Sequence, residues 1–200
     1  MLNRSRYEQI GELHASAIDQ GFLSTLGAPF LSLLYEAMDE AQDTFVIVEE
    51  QDGKIVGFVS GGVGMGPTYK RLLAHPIRLI KSLLPSALNP KGLIRMLEIV
   101  FRGAVQSGLE ELPDAELMSL AVQAEYRGEG VAAGLYEQLQ DRFQSIGVDE
   151  FKIVVGQDLR PAHRFYARMG ATAAARVEIH RGAISVVYVH ELQQAIASQL

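Results

Sequence analysis

The segment Glu116-Leu-Met-Ser-Leu-Ala-Val-Gln-Ala-Glu-Tyr-Arg-Gly-Glu-Gly-Val-Ala-Ala-Gly134 constrains the fold more than any other part of the chain. It reads as a strand, a glycine-bearing turn and the first turns of a helix. A helix start leaves backbone N–H groups unpaired at the positive end of its dipole, so it attracts anionic oxygens. Glycine removes the Cβ that would hold those oxygens off. Arg127, Gly128, Gly130, Val131 and Ala132 are placed to supply the amides. The same pattern also serves as an ordinary strand-to-helix connection, so its surroundings have to decide its use.

Those surroundings are mixed α and β. Residues 6–40 carry helical spacing, interrupted by the Gly21 to Gly27 stretch, which predicts two helices. Thr44-Phe-Val-Ile-Val-Glu and Lys54-Ile-Val-Gly-Phe-Val-Ser flank Gln51-Asp52-Gly53, and Asp-Gly tolerates the positive φ of a tight hairpin turn. After Ser60 come Gly61-Gly-Val-Gly-Met-Gly66-Pro67 and a basic, apolar stretch to about Gln106. That stretch sets Lys70, Arg71, Arg78, Lys81, Lys91, Arg95 and Arg102 against the single acid Glu98, and its Leu and Ile spacing predicts a helical insertion over about 67–110. Three readings of the insertion stay open: a helical pair with solvated cations, a lid for an anionic acceptor, or a contact with an acidic membrane or protein surface. Beyond Val122 the pattern predicts a helix over 128–145, a strand over 151–155, a helix over 160–168, and a closing hairpin of strands over 174–180 and 183–191 joined at Arg181-Gly182.

Composition removes several function classes. At 200 residues, 48% hydrophobic and 21% charged, the chain reads as one globular domain over 1–200 carrying an insertion. It has no Cys, which excludes a thiol nucleophile and thiolate metal sites and is compatible with a reducing, cytoplasmic setting. His14, His75, His163, His180 and His190 are scattered without ligand spacing, so no catalytic metal is expected and each reads as a surface or internally satisfied histidine. A net charge of −6 argues against nucleic acid as partner. The first residues lack a signal-peptide run, and no apolar stretch is long enough for stable membrane insertion.

Two phosphate-binding patterns can be tested directly. Gly128-x-Gly130-x-x-Ala133 fits the letter of the dinucleotide fingerprint, yet Asp149 and Glu150 precede the next strand, where the ribose-binding acid belongs after it. Only one β-α unit follows, so a doubly wound nucleotide domain would lack half of itself, which disfavours a nicotinamide-dependent oxidoreductase. The Walker pattern fails because no Gly-Lys-Ser/Thr is present.

The element order, and above all residues 116–171, resembles the GNAT acetyltransferase superfamily. Its pyrophosphate motif, Gln/Arg-x-x-Gly-x-Gly/Ala, falls on Glu125-Tyr-Arg-Gly128-Glu129-Gly130, with Glu125 in place of the usual Gln or Arg. A second landmark, Ala-x-x-x-Tyr-x-x-x-Gly on the helix after the next strand, falls on Ala162-His-Arg-Phe-Tyr166-Ala-Arg-Met-Gly170. The Asn that commonly sits three residues before the Ala is Leu159 here, so Gln157 or Asp158 would have to supply its contact.

The resemblance implies an α+β fold, a mixed and mostly antiparallel sheet flanked by helices. It implies acetyl-CoA as acetyl donor, a primary amine of a small molecule as acceptor, and an N-acetyltransferase reaction without a metal. Leu120, Ala121 and Val122 would pair with pantetheine amides, residues 127–132 including Glu129 would hold the pyrophosphate, and a backbone N–H near Leu120 would polarise the thioester carbonyl. Tyr166 would protonate the leaving thiolate, with Ala162 and Tyr166 lining the donor site.

Glu116 stands where one branch of the family places its general base. On a regular strand it would share a face with residues 118, 120 and 122, so a bulge is expected between them. Tyr35, Tyr69, Arg78 and His180 are candidate acceptor contacts without a motif behind them. An acyl-CoA-binding regulatory module, with no chemistry at Glu116 or Tyr166, is the non-enzymatic alternative. A homodimer through the closing strands is compatible with the family.

Overall fold

Asn3 opens the first helix by accepting a hydrogen bond from the Arg6 N–H at 3.0 Å, and α1 runs Arg4–Ala17. A 3-10 turn at Leu23–Leu26 leads to α2, Ala28–Glu40, which begins after Gly27 with φ of 80°. The two helices cross closely enough that a Cβ on Gly11 would lie 2.6 Å from the Ala28 carbonyl oxygen. The computed structural model describes residues 2–18, 23–84, 112–180 and 183–192. Phe22, the second part of the basic insertion with Lys91, Arg95, Glu98 and Arg102, and the Arg181-Gly182 join lie outside the described residues.

Strands β1 (Thr44–Gln51) and β2 (Lys54–Val63) form the expected hairpin, with Asp52 and Gly53 both at positive φ, 49° and 76°. β2 extends past Ser60, where the run read from the sequence stops, through Gly61 and Gly62. The reason is a close neighbour: a Cβ on Gly62 would meet the Asp43 carbonyl oxygen at 2.3 Å. Helices α3 (Gly66–Ala74) and α4 (Pro76–Leu83) follow, as the basic stretch predicted. Two of its cations are paired with α2, Arg71 with Glu40 and Arg78 with Glu36.

The second part of the chain carries β3 (Ala115–Val122), a 3-10 turn at Ala124–Tyr126, α5 (Val131–Ser145), β4 (Glu150–Gly156), α6 (Arg160–Arg168), β5 (Thr172–His180) and β6 (Ala183–Glu191). The six strands form one sheet in the order β1-β2-β3-β4-β6-β5. Every neighbouring pair is antiparallel except β3 and β4.

Two apolar layers cover the sheet. On one face Ile10, Leu31, Leu34, Tyr35 and Met38 of α1 and α2 pack with Ile55 and Phe58 of β2 and Leu72 and Leu79 of α3 and α4. On the other, Leu135, Tyr136, Leu139 and Phe143, one stripe of α5, pack with Phe45, Val59, Leu117, Phe151, Ile153 and Tyr166. Burying a side chain of this size contributes about 1.5–3 kcal/mol, so these layers fix where β3 and β4 lie.

Candidate functional site

β3 and β4 part company almost at once. Their parallel ladder consists of Glu116 opposite Lys152 and Leu117 opposite Ile153, whereas β4 stays paired with β6 along its whole length. From Met118 onward the edge of β3 that faces β4 has no strand partner among the described residues, and a wedge opens in the middle of the sheet. A bulge sits at its apex: the register with β2 steps from Ser60 opposite Ser119 to Gly61 opposite Leu117, leaving Met118 unmatched. The bulge changes which way the strand faces. Leu117, Leu120 and Val122 belong to the layer of α5, while Met118 and Ala121 pack with α1 and α2.

The wedge ends at the glycine turn. Gly128 and Gly130 adopt φ of 90° and 86°, in the left-handed region that favours glycine, and nothing lies within 4 Å of where a Cβ would stand on either. Gly130 caps α5 without a side-chain hydrogen bond, so the first N–H groups of that helix face an open cradle. Arg127 turns its guanidinium inward, where Nε donates to the Val122 carbonyl at 3.2 Å. An extended, amide-bearing chain ending in phosphates therefore fits the residues present: the open β3 edge offers hydrogen bonds along its length, and the cradle stands at its end.

Glu116 and Tyr166 lie on opposite faces of the sheet. Glu116 points away from the layer that holds Ala115 and Leu117, toward Tyr69 of α3. Burial raises its carboxyl pKa, and neighbouring Lys152 opposes that rise. The Tyr69 phenol is raised as well, by burial first and then by the Glu116 charge. Tyr166 is the buried residue of α6, its ring set among Tyr136, Phe165 and Tyr188. Burial raises its phenol above the ordinary value, and no described protein group hydrogen-bonds its hydroxyl. Ala162 lies one helical turn earlier, half-buried on the same helix.

A family model for the GNAT acetyltransferases matches residues 15–171. The chain belongs to the GNAT acetyltransferase family. A search of curated proteins by sequence finds no significant match. Among solved structures, a GNAT-family protein from Desulfovibrio desulfuricans aligns with a TM-score of 0.62 and 12% identity over 96% of both chains. The ribosomal-protein-S18-alanine N-acetyltransferase of Escherichia coli aligns at 0.57 and 13%, over 100% of this chain and 96% of its own. Arabidopsis thaliana NAA60, solved in complex with acetyl-CoA, aligns at 0.58 and 16%, over 96% of both. At such identities the likeness is one of fold.

The remaining sequence candidates of this acetyltransferase fall in different places. Tyr69 stands beside Glu116, but Arg78 is exposed and bound to Glu36, and the His180 side chain lies outside the described residues. Gln157 and Asp158 are exposed just before α6, and Leu159 caps it. A cleft of about 710 Å³ adjoins the turn from the α1 side, lined by Gln9, Glu12, Ser16, Lys54, Gln123 and Arg127. Neither Glu116 nor Tyr166 lines it. Among the described residues no helix is long and apolar enough to cross a membrane.

Two residues that the sequence left apart meet in one polar group: His14, read as a surface or internally satisfied histidine, and Tyr35, a candidate acceptor contact that is instead buried in the core. His14 Nδ1 lies 2.6 Å from the Tyr35 hydroxyl, and both side chains are buried in the apolar layer of α1 and α2. Ser60 and Ser119 are register partners at the bulge, and the Ser60 Oγ is buried without a hydrogen-bond partner among the described residues. A lone histidine in a helix carries no signal of its phenol partner, because that partner is 21 residues away.

Proposed function

We propose that the chain transfers the acetyl group of acetyl-CoA to a primary amine of a small molecule, by direct attack of the amine on the thioester. The observation that carries this reading is the unpaired β3 edge ending at an open glycine cradle. Acetyl-CoA, as donor substrate, supplies the activated acyl group. Leu120 and Val122 bind its pantetheine amides along that edge, with Ala121 between them turned to β2. The backbone N–H groups of Gly128, Glu129, Gly130, Val131 and Ala132 bind its pyrophosphate beside Arg127, whose own N–H is held by the Ala124 carbonyl at 3.3 Å. Ala162 and Tyr166 close the donor side. The Leu120 N–H donates to the carbonyl oxygen and stabilises the charge that grows there.

Glu116 takes the proton of the attacking amine, directly or through a water. Its raised pKa serves this role, since burial makes the carboxylate a stronger base. Tyr166 donates a proton as the thiolate leaves. With ordinary values of about 10 for a phenol and 8.5 for a thiol, that donation runs uphill by at least about 2 kcal/mol, so it accompanies departure rather than preceding it.

Release of free CoA, measured over a panel of small amines with a peptide N-terminus and a lysine peptide included, tests the reading. Turnover with a small amine is the expected result; preference for a peptide moves the acceptor to the protein class. Saturable acetyl-CoA binding without release for any acceptor overturns the enzymatic reading in favour of a binding module. Tyr166→Phe should keep donor affinity and lower turnover at least tenfold, and unchanged turnover removes Tyr166 from the chemistry.

A further inference from the structure

Helices α3 and α4 carry a surface that acetyl transfer does not use. Leu79 and Leu83 of α4 are buried in the layer of α1 and α2, with Ser82 buried beside them. A helix that covers a core on one face ordinarily turns polar side chains to water on the other. α4 turns aliphatic ones: Ile77 and Ile80 are 70% and 63% exposed, and Leu84, at its C-terminal cap, is 63% exposed. Spacings of three and four residues set them in one stripe, on the side away from Leu79 and Leu83. They are the three most exposed large hydrophobic residues among the described residues, and Leu73 in the last turn of α3 is exposed as well.

Charge points to what the stripe meets. Residues 66–84 hold four of the chain's 18 Lys and Arg and none of its 24 Asp and Glu, so a positive patch stands on a protein of net charge −6. Arg71 and Arg78 bridge back to Glu40 and Glu36 and fix the helix pair on α2. Lys70 and Lys81 are exposed, and neither forms an ion pair among the described residues. Lys81 lies one helical turn from both Ile77 and Leu84, at the border of the stripe.

The shape of the patch selects the partner. Three aliphatic side chains along about 10 Å of one convex helix offer far less than the ~800 Å² per partner of a stable protein interface, and no aromatic anchor stands among them. A bilayer needs less area. Aliphatic side chains enter the boundary between headgroups and acyl chains, while lysines beside them keep their charge among the lipid phosphates and carboxylates.

We propose that α3 and α4 dock the protein on a membrane leaflet rich in anionic phospholipid, with Ile77, Ile80 and Leu84 inserted and Lys70 and Lys81 at the headgroups. The contact is peripheral, since no described helix is long and apolar enough to cross a membrane. None of these residues belongs to the donor site or its chemistry, so docking can be measured apart from turnover.

Co-sedimentation of the whole protein with vesicles of phosphatidylcholine alone, and of phosphatidylcholine with phosphatidylserine, is the test. Wild type should partition at least tenfold more strongly onto the phosphatidylserine vesicles, and added salt should weaken the binding. Each lysine near an anionic surface contributes about fivefold, so Lys70→Gln/Lys81→Gln should lower partitioning roughly 25-fold. Ile77→Ser/Ile80→Ser should lower it at least tenfold at unchanged Tm, whereas Ile146→Ser, at an exposed isoleucine that caps α5, should leave it unchanged. Equal binding to both vesicle types, or equal binding of wild type and the double isoleucine variant, overturns the proposal.

A second readout shows whether the stripe is free to dock. The chain has no Cys, so Ile80→Cys and Ile146→Cys each take a single environment-sensitive fluorophore. Without lipid the probe at position 80 should be open to a water-soluble quencher. Phosphatidylserine vesicles should shift its emission to the blue and shield it, with no change at position 146. A probe at position 80 that is shielded without lipid in a monomer means that the chain covers its own stripe, and shielding that comes with dimerisation puts a second copy there; either result overturns membrane docking.

Discussion

Replacing His14 by glutamine should flatten the acid limb of the stability profile, and the size of the effect follows from burial. The imidazole is 2% exposed, and burial moves its pKa from 6.5 to about 4. In the unfolded chain His14 takes up a proton as pH falls through 6.5, whereas in the folded protein it resists until about 4. Protonation therefore favours unfolding across that window, and stability present at neutral pH is lost as the solution is acidified. The loss attributable to this side chain is about 1.4 kcal/mol at pH 5.5 and about 3 kcal/mol at pH 4.

Urea unfolding of wild type and His14→Gln at pH 7.5, 5.5 and 4 measures the difference, and comparing slopes removes the other titrating groups, which both chains share. Glutamine can still accept from the Tyr35 hydroxyl, so the fold should survive. Parallel stability profiles would refute the argument, because they would mean that His14 ionises as easily in the folded protein as in water.

Glu116→Gln should reduce kcat/KM by a hundredfold or more and abolish its fall on acidification, a limb that should sit above the usual carboxylate range because burial raises this carboxyl; a pH–rate profile identical to wild type would assign the proton to a water chain. Gly130→Ala and Gly147→Ala both place a side chain at positive φ in open space, at 86° and 77°, and each should cost about 1–2 kcal/mol of stability. Only the former should also weaken acetyl-CoA binding, at least tenfold, and equal affinity in the two variants would remove the cradle from the donor site. Gly11→Ala should destabilise by about 1–2 kcal/mol net, since the clash with the Ala28 carbonyl outweighs the gain in helix propensity; a rise in the urea midpoint would show that α1 and α2 can separate cheaply.

The parts of this fold that were legible in the sequence are those with a local cause. Asp52-Gly53 announces its turn because both residues need positive φ, and Arg160-Pro161 announces α6 because proline suits a first turn. The glycines at 61 and 62 lie beyond the run read as a strand because their reason is steric and distant: the Glu116 carbonyl and the rings and methyls of α5 lie against Gly61, and the chain at Asp43 and Thr44 lies against Gly62. The bulge at Met118 was foreseen only through the family, and its consequence, Glu116 facing α3 while Leu120 faces α5, depends on pairing with β2. The polar group of His14 and Tyr35 was illegible for a further reason. Tyr35 reads from the sequence as a candidate acceptor contact, yet it is a core residue; nothing in the pattern of α2 distinguishes a phenol that meets an imidazole from one that meets leucine.

The two-residue seam between β3 and β4 bears on how this chain stays apart from its neighbours. An unpaired strand edge at the rim of a sheet is a template on which another chain can add a strand, and proteins guard such edges with charge, brevity or cover. Here the stretch of β3 without a strand partner among the described residues lies inside the sheet, between two strands that have already found partners. A neighbouring protein would have to thread a strand into the wedge to reach it, while a single slender ligand can enter from the open end. The backbone hydrogen-bonding capacity of β3 is thus kept available without becoming an invitation to aggregate.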